Sequence, residues 1–250
     1  MAQKPNNNTA ADADELLAEA QDQDNAVAVH SSAPPLVLGE VNLPDPAELN
    51  AGNTTPVLRP AFGVGGLADA GHAPGTWVLG DYEIGKKGVP LTVYVLAANF
   101  YWRENVGYTP GQRIEPNKVQ TVDEVKALGK TIEWRDGPGG KRIQPDYQPA
   151  ADFILLIQQP KDILAPYFSA RIGGENYATA RFYADKNVYR FAGDPMLKSI
   201  NGAPAPYALQ FGLATQTKRL GNQTVTMPVA TLLGRTEQDL CDGIAAHIGK

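Results

Sequence analysis

The two longest apolar runs in this chain, residues 93–98 and 153–157, are strand-sized and sit among β-branched and aromatic neighbours. They predict buried strands in PLTVYVLAANFYW (90–102) and ADFILLIQ (151–158). Neither run approaches the roughly 20 apolar residues of a membrane-spanning helix, so no integral membrane segment is expected. The N-terminal segment MAQKPNNNTAADADELLAEA has neither an apolar signal core nor a basic, acid-free transit pattern, which predicts a cytoplasmic location.

Charge divides the chain. Residues 1–50 hold nine acids and one lysine, leaving eighteen acids against twenty-one Lys and Arg in residues 51–250. An acidic arm on a mildly basic body suits a protein whose basic surface meets a polyanion, with the arm competing for that surface. The first thirty residues lack aromatics and carry little apolar area to offset ordering, so residues 1–50 are expected to be a flexible arm, with one marginal helix at 12–20. Residues 51–75 are punctuated by proline and glycine and predict a linker that ends by packing on the core. Residues 76–250 form the predicted single β-rich domain.

Within that domain, Thr121 and Glu124 make a capping box, Val122, Val125 and Leu128 an apolar stripe, and Gly129 a stop, predicting a mid-chain helix. Residues 130–135 (KTIEWR) are expected to resume a strand, followed by a tight loop at 136–141. In NYATARFYADKNVYRF, alternation puts Tyr177, Thr179, Arg181 and Tyr183 on one face and Ala178, Ala180 and Phe182 on the other, with Asp185, Lys186 and Asn187 as a hairpin turn. A second hairpin turns near residues 219–222, and Leu240, Ile244 and Ile248 mark a C-terminal helix from about Thr236. The expected class is mainly β: a small barrel, OB-like in one version, or a strongly curved antiparallel sheet, with a mid-chain and a C-terminal helix.

Chemistry-bearing motifs are sparse. A single cysteine, Cys241, excludes an internal disulfide, and its neighbours Asp239 and Asp242 predict a raised thiol pKa and a structural role. His30, His72 and His247 are isolated from one another, so no metal site is expected. The loop from Arg135 to Arg142 lacks the Ser or Thr and the glycine spacing of a phosphate-binding loop, and Gly63, Gly65 and Gly66 lack a dinucleotide fingerprint, so no cofactor is assigned. Acid pairs such as Asp123 with Glu124 and Asp239 with Asp242 are explained by helix capping. No nucleophile elbow or metalloprotease helix is present, and a non-enzymatic role is expected.

What stands out is aromatic residues interleaved with cations. Trp102, Trp134, Tyr147, Tyr183 and Tyr189 are candidate stacking platforms for single-stranded nucleic acid. Arg103, Arg135, Lys141, Arg142, Arg181 and Arg190 are candidate phosphate contacts.

TIEWRDGPGGKRIQPDYQPAADFILLIQQPKD (131–162), with LGDYEIGKKGVPLTVYVLAANFYWRE (79–104), resembles uncharacterised bacteriophage proteins of replication and recombination regions. The resemblance covers about half the chain and transfers no binding residue. It implies a phage context, in which small β proteins with an acidic tail are often single-stranded DNA-binding proteins, although that tail is usually C-terminal and this acidic segment is N-terminal. The expectation is therefore a non-catalytic single-stranded DNA-binding protein, with replication or recombination proteins, or further copies of the chain, as possible partners of the acidic arm. The alternative is a structural, virion-type assembly protein whose N-terminal arm orders on a neighbouring subunit.

Overall fold

A computed structural model describes residues 55–62, 66–107, 114–220 and 223–249. The acidic arm with its predicted helix, and most of the glycine run at 63–66, lie outside the described residues. Residues Thr217–Val225, at the tip of the last hairpin, belong to a unit distinct from the body of the chain, and the core and the candidate site lie in the body.

The described chain runs β1 (Leu58–Pro60), α1 (Gly66–Asp69), β2 (Trp77–Leu79), β3 (Tyr82–Gly85), β4 (Leu91–Glu104), β5 (Lys118–Val119) and α2 (Val122–Ala127). It continues through β6 (Arg135–Asp136), β7 (Arg142–Ile143), β8 (Tyr147–Gln158), β9 (Ala170–Ile172), β10 (Glu175–Asp185) and α3 (Lys186–Val188). After a π-helical turn, Tyr189–Gly193, come α4 (Asp194–Ile200), β11 (Leu209–Leu220), β12 (Gln223–Arg235) and α5 (Gln238–Ile248). Both apolar runs became the long central strands β4 and β8, which pair antiparallel from Val93 opposite Ile157 to Glu104 opposite Tyr147.

The main sheet has seven strands in the order β12-β11-β4-β8-β10-β9, with β5 also pairing to β4. That order is a path with two ends, so among the described residues the sheet does not close into the expected barrel and is an open antiparallel sheet. A three-stranded sheet, β1-β2-β3, stands beside it. No helix among the described residues is long and apolar enough to cross a membrane.

The two faces of the main sheet bury different things. On the first face Val93, Val95, Phe153, Leu155, Ala180 and Phe182 pack against Leu58, Trp77 and Ile84 of the small sheet and against Met196 and Ile200 of α4. On the second face Tyr94, Leu96, Leu156 and Tyr177 are covered by α5 through Ile244, Leu240 and Ile248, the residues whose spacing predicted that helix. The fit is close: a Cβ on Gly243 would stand 2.6 Å from Ile172 Cγ2, so only glycine lets α5 approach β9 this far. Leu58 and Ala61 are buried, and Leu58 belongs to the large core cluster.

Local signals explain several ends. Thr121 Oγ1 accepts from the Glu124 N–H at 3.2 Å, and the Glu124 carboxylate accepts from the Gln120 N–H, one residue before the cap. Gly129 takes φ +68°, the left-handed stop expected of it.

Two expectations fail here. Residues 130–134 are not a strand; only Arg135–Asp136 pairs, with Arg142–Ile143, in a small separate hairpin. Nor do residues 185–187 turn a hairpin, because the chain enters α3, the π-helical turn and α4 instead. Ala192, Met196 and Ile200 recur at a spacing of four and are all buried, a helical period that wins over the strand preference of the preceding aromatics.

Candidate functional site

β4 contains a bulge: Val95 opposes Leu155 and Ala97 opposes Ile154, leaving Leu96 as an extra residue. Alternation therefore changes phase within the strand. Phe100, with its edge-on partner Trp102 5.7 Å away, falls on the first face, where Phe100 meets Tyr189. Tyr101 and Arg103 are turned onto the second face.

α5 covers only one half of that second face. Over the other half lie Asn99, Tyr101 and Arg103 of β4, Asp152 of β8, and Arg181, Tyr183 and Asp185 of β10. Tyr183 stands directly opposite Asp152, which in turn stands opposite Asn99. Arg181 and Asn99 are exposed and Tyr183 is 44% exposed.

Side-chain bonds lace this half of the sheet across its strands. Tyr101 Oη donates to Asp152 Oδ1 at 2.7 Å. β5 brings Lys118 beside Arg103, and the Lys118 ammonium lies 3.4 Å from Asp152 Oδ2 and 4.3 Å from the centre of the Tyr101 ring. Arg103 Nη1 donates to Asp185 Oδ2, reaching from β4 across β8 to β10. Between the sheet and residues 114–118 a cleft of about 450 Å³ opens, lined among others by Arg103, Ile114, Glu115, Lys118, Tyr183 and Asp185. Glu115 and Arg181 have no ion-pair partner among the described residues. To a ligand the cleft presents cations, carboxylates and an exposed ring.

Burial, and then the hydrogen bond to Asp152, hold the Tyr101 phenol well above its ordinary value, so it remains a proton donor. Burial, followed by the neighbouring Tyr177, pushes Tyr94 up to about 12, and burial, followed by Asp194, raises Tyr189. Because these folded values lie above the unfolded phenol value of 10.0, the stability they contribute is complete below that pH and is lost as pH rises through the folded values. The urea midpoint is expected to fall between pH about 9 and pH about 11, and Tyr94→Phe should flatten the fall; an unchanged midpoint would contradict this account of the buried phenols. The Cys241 thiol is likewise raised, by burial and then by Asp242.

The predicted binding residues do not form one surface. Arg103, Arg181 and Tyr183 come together on the open half of the second face. Trp134, 45% exposed, lies beside the β6-β7 hairpin with Arg142 5.7 Å from its ring centre; Lys141 is exposed there, and Arg135 pairs with Asp146 at 3.3 Å. That hairpin leaves the same end of the sheet, since Asn105 after β4 bonds Asp146 before β8. Trp102 belongs to the other face.

Two platforms are lost outright. Tyr147 is 1% exposed and its hydroxyl accepts from Asn117 Nδ2 at 3.0 Å, so no base can stack on it. Tyr189 packs against the core beside Phe100, and Arg190 lies over Phe191 in the same π-helical turn. Both misplacements have a cause: Tyr147 is held between Asn117, which donates to its hydroxyl, and Thr131, whose carbonyl accepts from its N–H, and the segment holding Tyr189 is helical. Conversely, Lys118, Asp152, Asp185 and Glu115 were not singled out as site residues. Only β5's return along β4 and the bulge bring them together.

No protein-family model, no curated protein and no solved structure matches the chain.

Proposed function

We propose that the protein is a non-catalytic single-stranded DNA-binding protein of phage origin, acting in DNA replication or recombination. The observation that carries this reading is the uncovered half of the sheet, where the exposed Tyr183 ring lies among Arg181, Arg103 and Lys118. A ring of that exposure offers a base a stacking surface, and the cations around it offer phosphates their counter-charge. Arg103 and Lys118 are each held by a carboxylate, which fixes them in place while leaving other N–H donors for a phosphate. The Trp134 and Arg142 pair at the same end of the sheet extends the track.

The test is a fluorescence titration of a mixed-sequence single-stranded oligonucleotide with the full chain at two salt concentrations. Three phosphate contacts predict a log-log salt slope of about −2, or roughly 20-fold weaker binding from about 50 mM to about 200 mM salt. Arg181→Ala should make that slope shallower by about 0.7. Absence of binding at low salt would sink the reading.

A structural or assembly role is the second reading, favoured by a different place. Leu232 and Leu233 of β12 are 49% and 51% exposed, and the outer edge of β12 has no strand partner among the described residues. Concentration-dependent mass in light scattering, without oligonucleotide binding, would move the conclusion there.

A further inference from the structure

The lining of the cleft is unusual for a plain phosphate track, because it carries carboxylates as well as cations. Glu115, exposed and without a partner among the described residues, stands with Asp185 on one cleft, together with Arg103 and Lys118. A purely electrostatic groove for a polyanion gains nothing from an unpaired carboxylate, which repels phosphate. A ligand that satisfies the whole lining therefore needs three parts: an anion for Arg103 and Lys118, a flat face for Tyr183 and the apolar Ile114, and an edge rich in N–H groups for Glu115. A nucleotide whose base carries an exocyclic amino group has all three.

Resting on the reading above, we infer that this cleft seats one nucleotide of the bound strand and selects amino-bearing bases, cytosine above all, against thymine. The cytosine amino group donates to a carboxylate, the pairing that Glu and Asp make with this base elsewhere. Thymine presents a carbonyl oxygen at the same position. Two acceptors then face each other, and the carboxylate is left desolvated without a donor. A volume of about 450 Å³ lies within the range of pockets that hold small ligands, so one unstacked base with its sugar and phosphate is a fitting occupant.

The experiment compares oligo-dC with oligo-dT of equal length at one salt concentration, using the full chain and the Glu115→Gln variant. Glu115 is exposed and unpaired among the described residues, so the variant should fold, and circular dichroism with a melting curve verifies it. The expected result is about tenfold tighter binding of oligo-dC by the native chain, shrinking to near parity in Glu115→Gln as the amide replaces a pure acceptor. Equal affinity of the native chain for both oligonucleotides would overturn the selectivity and leave the single-strand reading standing. A preference that survives Glu115→Gln unchanged would overturn the role of this cleft. Failure to bind either oligonucleotide would remove the single-strand reading and this inference with it.

Discussion

Phe182→Ala is expected to cost about 3–5 kcal/mol of folding stability, read as a lowered urea midpoint at unchanged slope. Phe182 is 1% exposed and meets Trp77 edge-on at 6.1 Å and Phe153 at 6.2 Å, so it ties the small sheet to the centre of the large one. Truncation removes the ring contacts and leaves a cavity among residues that are themselves fully buried and cannot collapse into it. The Trp77 indole Nε1 is buried without a hydrogen-bond partner among the described residues. A loss below about 1 kcal/mol would mean that Phe182 does not join the two sheets.

One residue further along β10, the effect is expected to move from stability to binding. Tyr183→Ala should weaken single-stranded DNA binding by about 1–3 kcal/mol, or roughly 5-fold to 150-fold, and leave the urea midpoint nearly unchanged. Tyr183 points to the open face, opposite Asp152, and contributes nothing to the core that holds Phe182. Tyr183→Phe keeps the ring and should retain most of the affinity. If the alanine variant binds as tightly as the native chain, the stacking role of Tyr183 fails.

The sequence was most legible where one local signal decided the outcome. Composition alone marked β4 and β8, a capping pair marked α2, and a spacing of four marked α5. The alternation along β10 was also legible, because Ala178, Ala180 and Phe182 share one face and Tyr177, Thr179, Arg181 and Tyr183 the other. Long-range geometry was less visible. Whether a sheet closes depends on which edges meet, and no residue between β12 and β9 announces that they remain apart. Residues 189–200 mix aromatic strand formers with a helical burial period, and only the packing of Met196 and Ile200 on the sheet settles the competition.

The candidate site suffered most from this, since its members come from five places: the end of β4, the segment before β5, β5 itself, the middle of β8 and the end of β10. Pairing each aromatic residue with its neighbouring cation assumes that adjacent residues share a face. In an extended strand they lie on opposite faces, which is how Trp102 parted from Arg103.

The extra residue at Leu96 gives β4 two parities. Before it, odd-numbered side chains enter the large core; after it, even-numbered ones do, and the odd-numbered Tyr101 and Arg103 face the cleft. The same residues in unbroken alternation, with no bulge, would have the same composition, yet they would present Phe100 and Trp102 to the cleft and drive the Arg103 guanidinium toward the apolar layer. The bulge at this one position, more than the identity of any side chain around it, therefore decides whether the uncovered half of the sheet is polar.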